Sequence, residues 1–135
     1  MTYPLKHIDG LSIFAINKLK AAGIRTTEAL LERARTPEDR KALSEKTGFT
    51  EQQLLAWANA ANCMRIPGMG KAKTELLRAA GVRTVRDLAH RNPARLAQAM
   101  REANDRKKLV RVMPSEDSVR RIIEKAREID PTIKY

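Results

Sequence analysis

Aromatic side chains are scarce in this chain: Phe, Trp and Tyr make up 4% of its 135 residues. A core built from it must come from Leu, Ile, Val, Ala and Met. Cysteine is nearly absent. Cys63 stands alone, which excludes an intrachain disulfide and suits a reducing, cytoplasmic setting. No apolar run leads the chain as a signal peptide would, and none is long enough to span a membrane. Period-2 alternation is missing, so no strand is expected. No low-complexity segment interrupts the chain. His7 and His90 are isolated, and with Cys63 they give no zinc-ligand spacing; no cofactor is expected. A chain of this length buries roughly two-thirds of its unfolded surface, enough for one modest core.

Acidic residues are also few. Lys and Arg number 27 against 16 Asp and Glu, a formal net charge of +11. The excess is uneven: residues 1–62 carry a net +2, residues 63–135 a net +9. Arg65, Lys71, Lys73, Arg78, Arg83 and Arg86 fall in one stretch. Arg106, Lys107, Lys108 and Arg111 fall in another, expected to be a loop, with Arg120 and Arg121 beyond it. A polyanion is the natural partner of such a field.

What the chain does have is helix punctuation. Thr36-Pro37 and Asn92-Pro93 each set a capping residue before a proline at the first helical position. Thr50 with Gln53, and Thr84 with Asp87, have the spacing of capping boxes. Gly23 and Gly81 suit the left-handed position that ends a helix, and Asp130-Pro131 stops the last one. Helices are predicted near 4–8, 12–22, 27–34, 37–46, 51–64, 70–80, 85–90, 93–108 and 115–128. Trp57, at helical spacing with Leu54 and Ala61, and Cys63 are read as helix packing residues.

The chain also repeats itself. At an offset of 58, Ile8-Asp9-Gly10-Leu11-Ser12 falls on Ile66-Pro67-Gly68-Met69-Gly70, and Ala21-Ala22-Gly23-Ile24-Arg25-Thr26 on Ala79-Ala80-Gly81-Val82-Arg83-Thr84. Beyond that the offset is 65: Leu54 matches Val119, Trp57 matches Ile122 and Ala61 matches Ala126. The extra residues lie near 104–114. The protein reads as a duplicated unit, 1–62 and 63–135, with the helix near 51–64 shared between the two and no flexible linker.

Within each copy, an apolar-x-Gly-apolar-small pattern separates two helical segments. Gly tolerates positive φ and has no side chain to hold a ligand away. The second glycine opens a helix, whose first N–H groups and positive dipole end favour an anion. These residues resemble the hairpin of the helix-hairpin-helix family, whose members mostly grip the sugar-phosphate backbone without reading sequence. The whole chain resembles a group of uncharacterised bacterial proteins built from two such units, a domain of unknown function. The features are Met64-Arg65-Ile66-Pro67-Gly68-Met69-Gly70, then Ala80-Gly81-Val82-Arg83-Thr84-Val85, then Leu109-Val110 to Pro114-Ser115 before a closing helix. The resemblance implies an all-α fold: duplicated helix-hairpin-helix units, a SAM-like helical bundle packed as one compact module. It implies DNA contact by Arg65, Gly68, Met69, Gly70, Lys71, Ala72 and Lys73, with Gly10, Leu11 and Ser12 a weaker second site. It also implies that the carbonyls of Met64, Ile66 and Met69 can hold a monovalent cation.

The copies differ chemically. Ser12 stands where the second copy has Gly70, and Ile13 and Phe14 stand at the places of Lys71 and Ala72. Two apolar residues there suit a partner or self-association better than phosphate. Ile16 and Thr74 occupy a position where the family usually has Ala, so looser helix packing is expected. Enzyme readings lack support. Asp87 is explained by capping, and Lys71 and Lys73 lack the apolar flanks that a lyase amine needs. Non-specific binding of double-stranded DNA is therefore the expected activity, with a protein-interaction scaffold as the alternative.

Overall fold

The helices begin where capping side chains allow. In the computed structural model, which describes residues 2–135, a single 3-10 turn (Leu5–His7) is followed by eight α-helices. They are α1 (Ile13–Ala21), α2 (Thr27–Arg33), α3 (Pro37–Thr47), α4 (Glu51–Cys63), α5 (Lys71–Ala79), α6 (Val85–Ala89), α7 (Pro93–Lys107) and α8 (Glu116–Glu128). No strand forms among the described residues; Pro4 and Thr26 make one isolated bridge. The helix predicted at 4–8 is only the 3-10 turn, because Pro4 holds the chain extended before it and Ile8 turns extended after it. Thr36 and Asn92 cap α3 and α7 with proline at the first helical positions. Thr50 and Gln53 form the reciprocal capping box of α4. Thr84 caps α6 by accepting from Asp87 N at 2.9 Å. The Asp87 carboxylate does not reach back, because Arg91 engages it with Nε at 3.1 Å and Nη2 at 3.0 Å.

The packing order recurs along the chain. α4 packs on α2 and α3, and α8 packs on α6 and α7 in the same relation. The expected single core is two. One holds Leu5, Ile8, Leu19, Ile24, Leu30, Leu43, Leu54 and Trp57. The other holds Cys63, Ile66, Met69, Leu76, Val82, Leu88, Leu96, Met100 and Ile123. Each set of helices buries its own apolar stripe, and wholly buried side chains such as Leu54 and Leu96 each contribute about 1.5–3 kcal/mol. α4 joins the two cores. Its second half is buried all round from Trp57 to Cys63, the mark of a helix covered on every side. Trp57 meets Phe49 edge-on at 5.0 Å between ring centroids, a favourable aromatic arrangement.

The seam between the cores is polar. Arg78 Nη1 donates to the Asp9 carbonyl at 3.1 Å and pairs with its carboxylate at 3.6 Å. The chain after α8 then crosses back to α3, α4 and the residue Arg35 beyond α2. Asn62 Nδ2 donates to the Pro131 carbonyl at 2.7 Å. Arg65 Nη1 lies within 3.1 Å of Asn62 Oδ1, the Asp130 carbonyl and Thr132 Oγ1. Arg40, 4% exposed, spends its guanidinium on the carbonyls of Ala34, Arg35 and Lys134. Ile133 seats in the first core, so residues beyond the last helix close the half opposite to their own.

Candidate nucleic-acid interface

Gly10 and Gly68 hold φ of 83° and 84°. In this left-handed region a side chain is strained. Each glycine turns the chain so that the next apolar residue, Leu11 or Met69, drops into its core. Met69 is wholly buried, so, against the expectation of direct contact, it offers a ligand neither side chain nor backbone; Gly68 and Gly70 on either side of it stay accessible. Both turns tighten on one bond, Leu11 N to the Ile8 carbonyl at 3.3 Å and Met69 N to the Ile66 carbonyl at 3.0 Å. Of the three carbonyls named for a cation, the Ile66 oxygen thus already accepts one hydrogen bond.

The helices that follow the turns start differently. Ser12 Oγ accepts from Ala15 N at 3.1 Å and closes the N-terminus of α1. Gly70 opens α5 with extended backbone and no side-chain hydrogen bond. The other α-helices are capped by the side chains of Ser12, Thr26, Thr36, Thr50, Thr84, Asn92 and Ser115. Among the described residues, α5 is the one α-helix left uncapped. Its first-turn N–H groups lack intrahelical acceptors, and they belong to Lys71, Ala72 and Lys73. Lys71 and Ala72 are exposed and Lys73 is half-buried. Thr74, one turn on, is buried with its hydroxyl unpartnered. Ile16 packs partly buried against the first core, so both bulky residues are accommodated.

The remaining cations are divided by the fold. Arg78 and Arg83 line a cleft of about 250 Å³ together with Lys107, Asp9 and Glu75. Arg106 and Lys107 stand on the last turn of α7, and Lys108 caps it at a φ of 52°. Only Arg111 of that predicted loop cluster lies in the connection itself. The connection is pinned by Asn104, whose side chain donates to the Val110 carbonyl at 3.1 Å and accepts from Val110 N at 2.9 Å. Arg120 pairs with Asp117 at 2.9 Å. Arg65 is drawn into the seam described above. Neither this role nor that of Arg40 is legible in the linear sequence, save that Arg40, Leu43 and Thr47 share an inner face of α3.

Groups considered for chemistry are otherwise engaged. Burial pushes the Cys63 thiol up to about 12, against a smaller lowering by Arg78, so the nucleophilic thiolate is suppressed. The Asp87 carboxylate holds Arg91, whose own proton affinity rises through that hydrogen bond. No group of three His, Cys, Asp or Glu could hold a metal ion among the described residues. No helix of the described residues is long and apolar enough to cross a membrane.

Fold and site together define a small all-α protein with paired glycine turns and a cationic helix end. The chain belongs to the family described as a domain of unknown function, DUF4332, whose model matches residues 10–129. No curated protein matches it, and no solved structure does.

Proposed function

We infer that this protein is a cytoplasmic, sequence-independent DNA-binding module made of two helix-hairpin-helix units, in which the second turn grips the phosphate backbone. The observation that carries the reading is the uncapped start of α5 beside Lys71 and Lys73. An anion supplies what the missing cap does not: acceptors for the first-turn N–H groups, at the positive end of the helix dipole. The net +11 supports it, since phosphate neutralisation by Lys and Arg dominates non-specific affinity. Gly68 and Gly70 offer backbone, with the buried Met69 anchoring the turn between them, and Lys71, Ala72 and Lys73 offer the helix end. Arg65 supports the turn from behind through the seam. Gly10, Leu11 and Ser12 form a weaker site, because Ser12 already caps α1.

Fluorescence polarisation with labelled duplex DNA at several salt concentrations tests the reading. Affinity of about 10⁻⁴–10⁻⁶ M at physiological salt is expected, falling steeply as salt rises. Silence toward every nucleic acid at low salt rejects it. A second reading, a protein-interaction scaffold, is favoured by the exposure of Ile13 and Phe14. An apolar interface would keep its affinity as salt rises.

A further inference from the structure

Ile13 and Phe14 are 78% and 66% exposed. They are the first two residues of α1, the positions that Lys71 and Ala72 hold on α5. The turns before them share one backbone geometry, with glycine at a φ of 83° and 84°. The two hairpins therefore present the same surface with different chemistry. On α5 it is open N–H groups and lysine. On α1 the Ser12 hydroxyl closes the helix end and two large apolar side chains project instead.

The surroundings of this pair are cationic. α1 carries Lys18 and Lys20 and no acid. Lys18 Nζ lies 5.5 Å from the centre of the Phe14 ring and donates to the Thr47 carbonyl at 2.9 Å. Asp9, in the turn before α1, is neutralised by Arg78. A second copy of the chain would set these lysines against their own images under a net charge of +11 each, which opposes pairing. Nucleic acid offers the complementary chemistry: apolar base faces beside anionic phosphate.

We propose that Ile13 and Phe14 form an apolar wedge that stacks on or between nucleobases, so that the protein prefers DNA whose base stack is already interrupted. This rests on the DNA-binding reading above. Wedging apart an intact stack costs energy that a gap or bubble has already paid. Stacking on an aromatic ring is blind to base identity, which fits a module with no side chains aimed at base edges.

The test compares one duplex sequence intact and with a two-nucleotide gap, by polarisation at fixed salt. Wild type should bind the gapped form about tenfold tighter, the scale of one base stacked on an aromatic side chain. Ile13→Ser with Phe14→Ser should bind both forms alike, at the affinity of wild type for intact duplex. Phe14→Trp, with Ile13 unchanged, should keep the preference, since indole also stacks on bases. Lys71→Glu with Lys73→Glu should weaken both forms together. Equal wild-type affinity for the two forms overturns the wedge and leaves the phosphate-gripping hairpin standing. Binding to neither form overturns both. Light scattering on the serine variant adds a further check. A wild-type dimer that it splits overturns the wedge and makes these residues a chain–chain interface.

Discussion

Arg65 illustrates how one residue's surroundings decide its role. In sequence it adjoins the second turn and counts as a phosphate ligand. In space its guanidinium ties α4 to the chain after α8 through Asn62, Asp130 and Thr132. Arg65→Ala should therefore lower unfolding free energy by about 1–3 kcal/mol, the scale of acceptors left unpaired, in urea titration. DNA affinity should change little. The reverse pattern, unchanged stability with weaker binding, would return Arg65 to the interface. Cys63 gives a residue-scale prediction with a definite sign. Its folded pKa is raised from 9.0 to about 12 by burial, so the unfolded chain releases the proton first. Its stabilising contribution is complete below pH 9 and is lost as pH rises toward 12. Measured unfolding free energies of wild type and Cys63→Ala should diverge less as pH climbs through that window. A disulfide reagent at pH 8 should label Cys63 only in denaturant.

At the scale of the element, the start of α5 separates stability from binding. A Cβ added to Gly70 meets nothing within 4 Å, and its φ of −108° suits any residue. Gly70→Ser should cap the helix and change stability by only about a few tenths of a kcal/mol, since Gly is itself a fair cap. It should weaken DNA binding, because the serine hydroxyl takes an N–H group from the phosphate. Tighter binding by Gly70→Ser would refute that account of α5. Charge reversal at Lys71 and Lys73 should lower the salt slope by about one unit per lost phosphate contact. Reversal at Lys18 and Lys20 should matter less for binding. It should lower thermal stability, since Lys18 holds the Thr47 carbonyl at the end of α3.

The whole molecule is two apolar cores closed by a polar seam and a returning chain end. Ile133 lies after the last helix of the second half yet seats in the core of the first. Ile133→Ala should cost about 2–5 kcal/mol, as for other buried aliphatic truncations, measured by urea unfolding. Deleting residues 130–135 should do more than that. It strips Arg40 of the Lys134 carbonyl and Asn62 of the Pro131 carbonyl, loosening the seam. Two separate unfolding transitions are then expected, against a single one expected for wild type. A single transition in the deletion variant would mean that α4 alone couples the halves.

The amino-acid sequence by itself determined where the helices start and stop. Caps such as Thr36, Thr50 and Asn92 act on N–H groups three residues away, and so short a reach is legible in a linear string. It determined the recurrence of the packing unit and the basic bias of the second half, because hydrophobic spacing and charge are sums over residues. Tertiary structure alone decided the rest. The division into two cores depends on which faces of α4 meet which helices. The commitment of Arg65 and Arg40 depends on partners 65 and 94 residues away. The chain after α8 carries no periodic signal, and its bonds run mostly from its own backbone to distant side chains. The pinning of residues 108–115 by Asn104 rests on a side-chain amide that meets both polar groups of Val110, a fit that only the folded path of the chain brings into register.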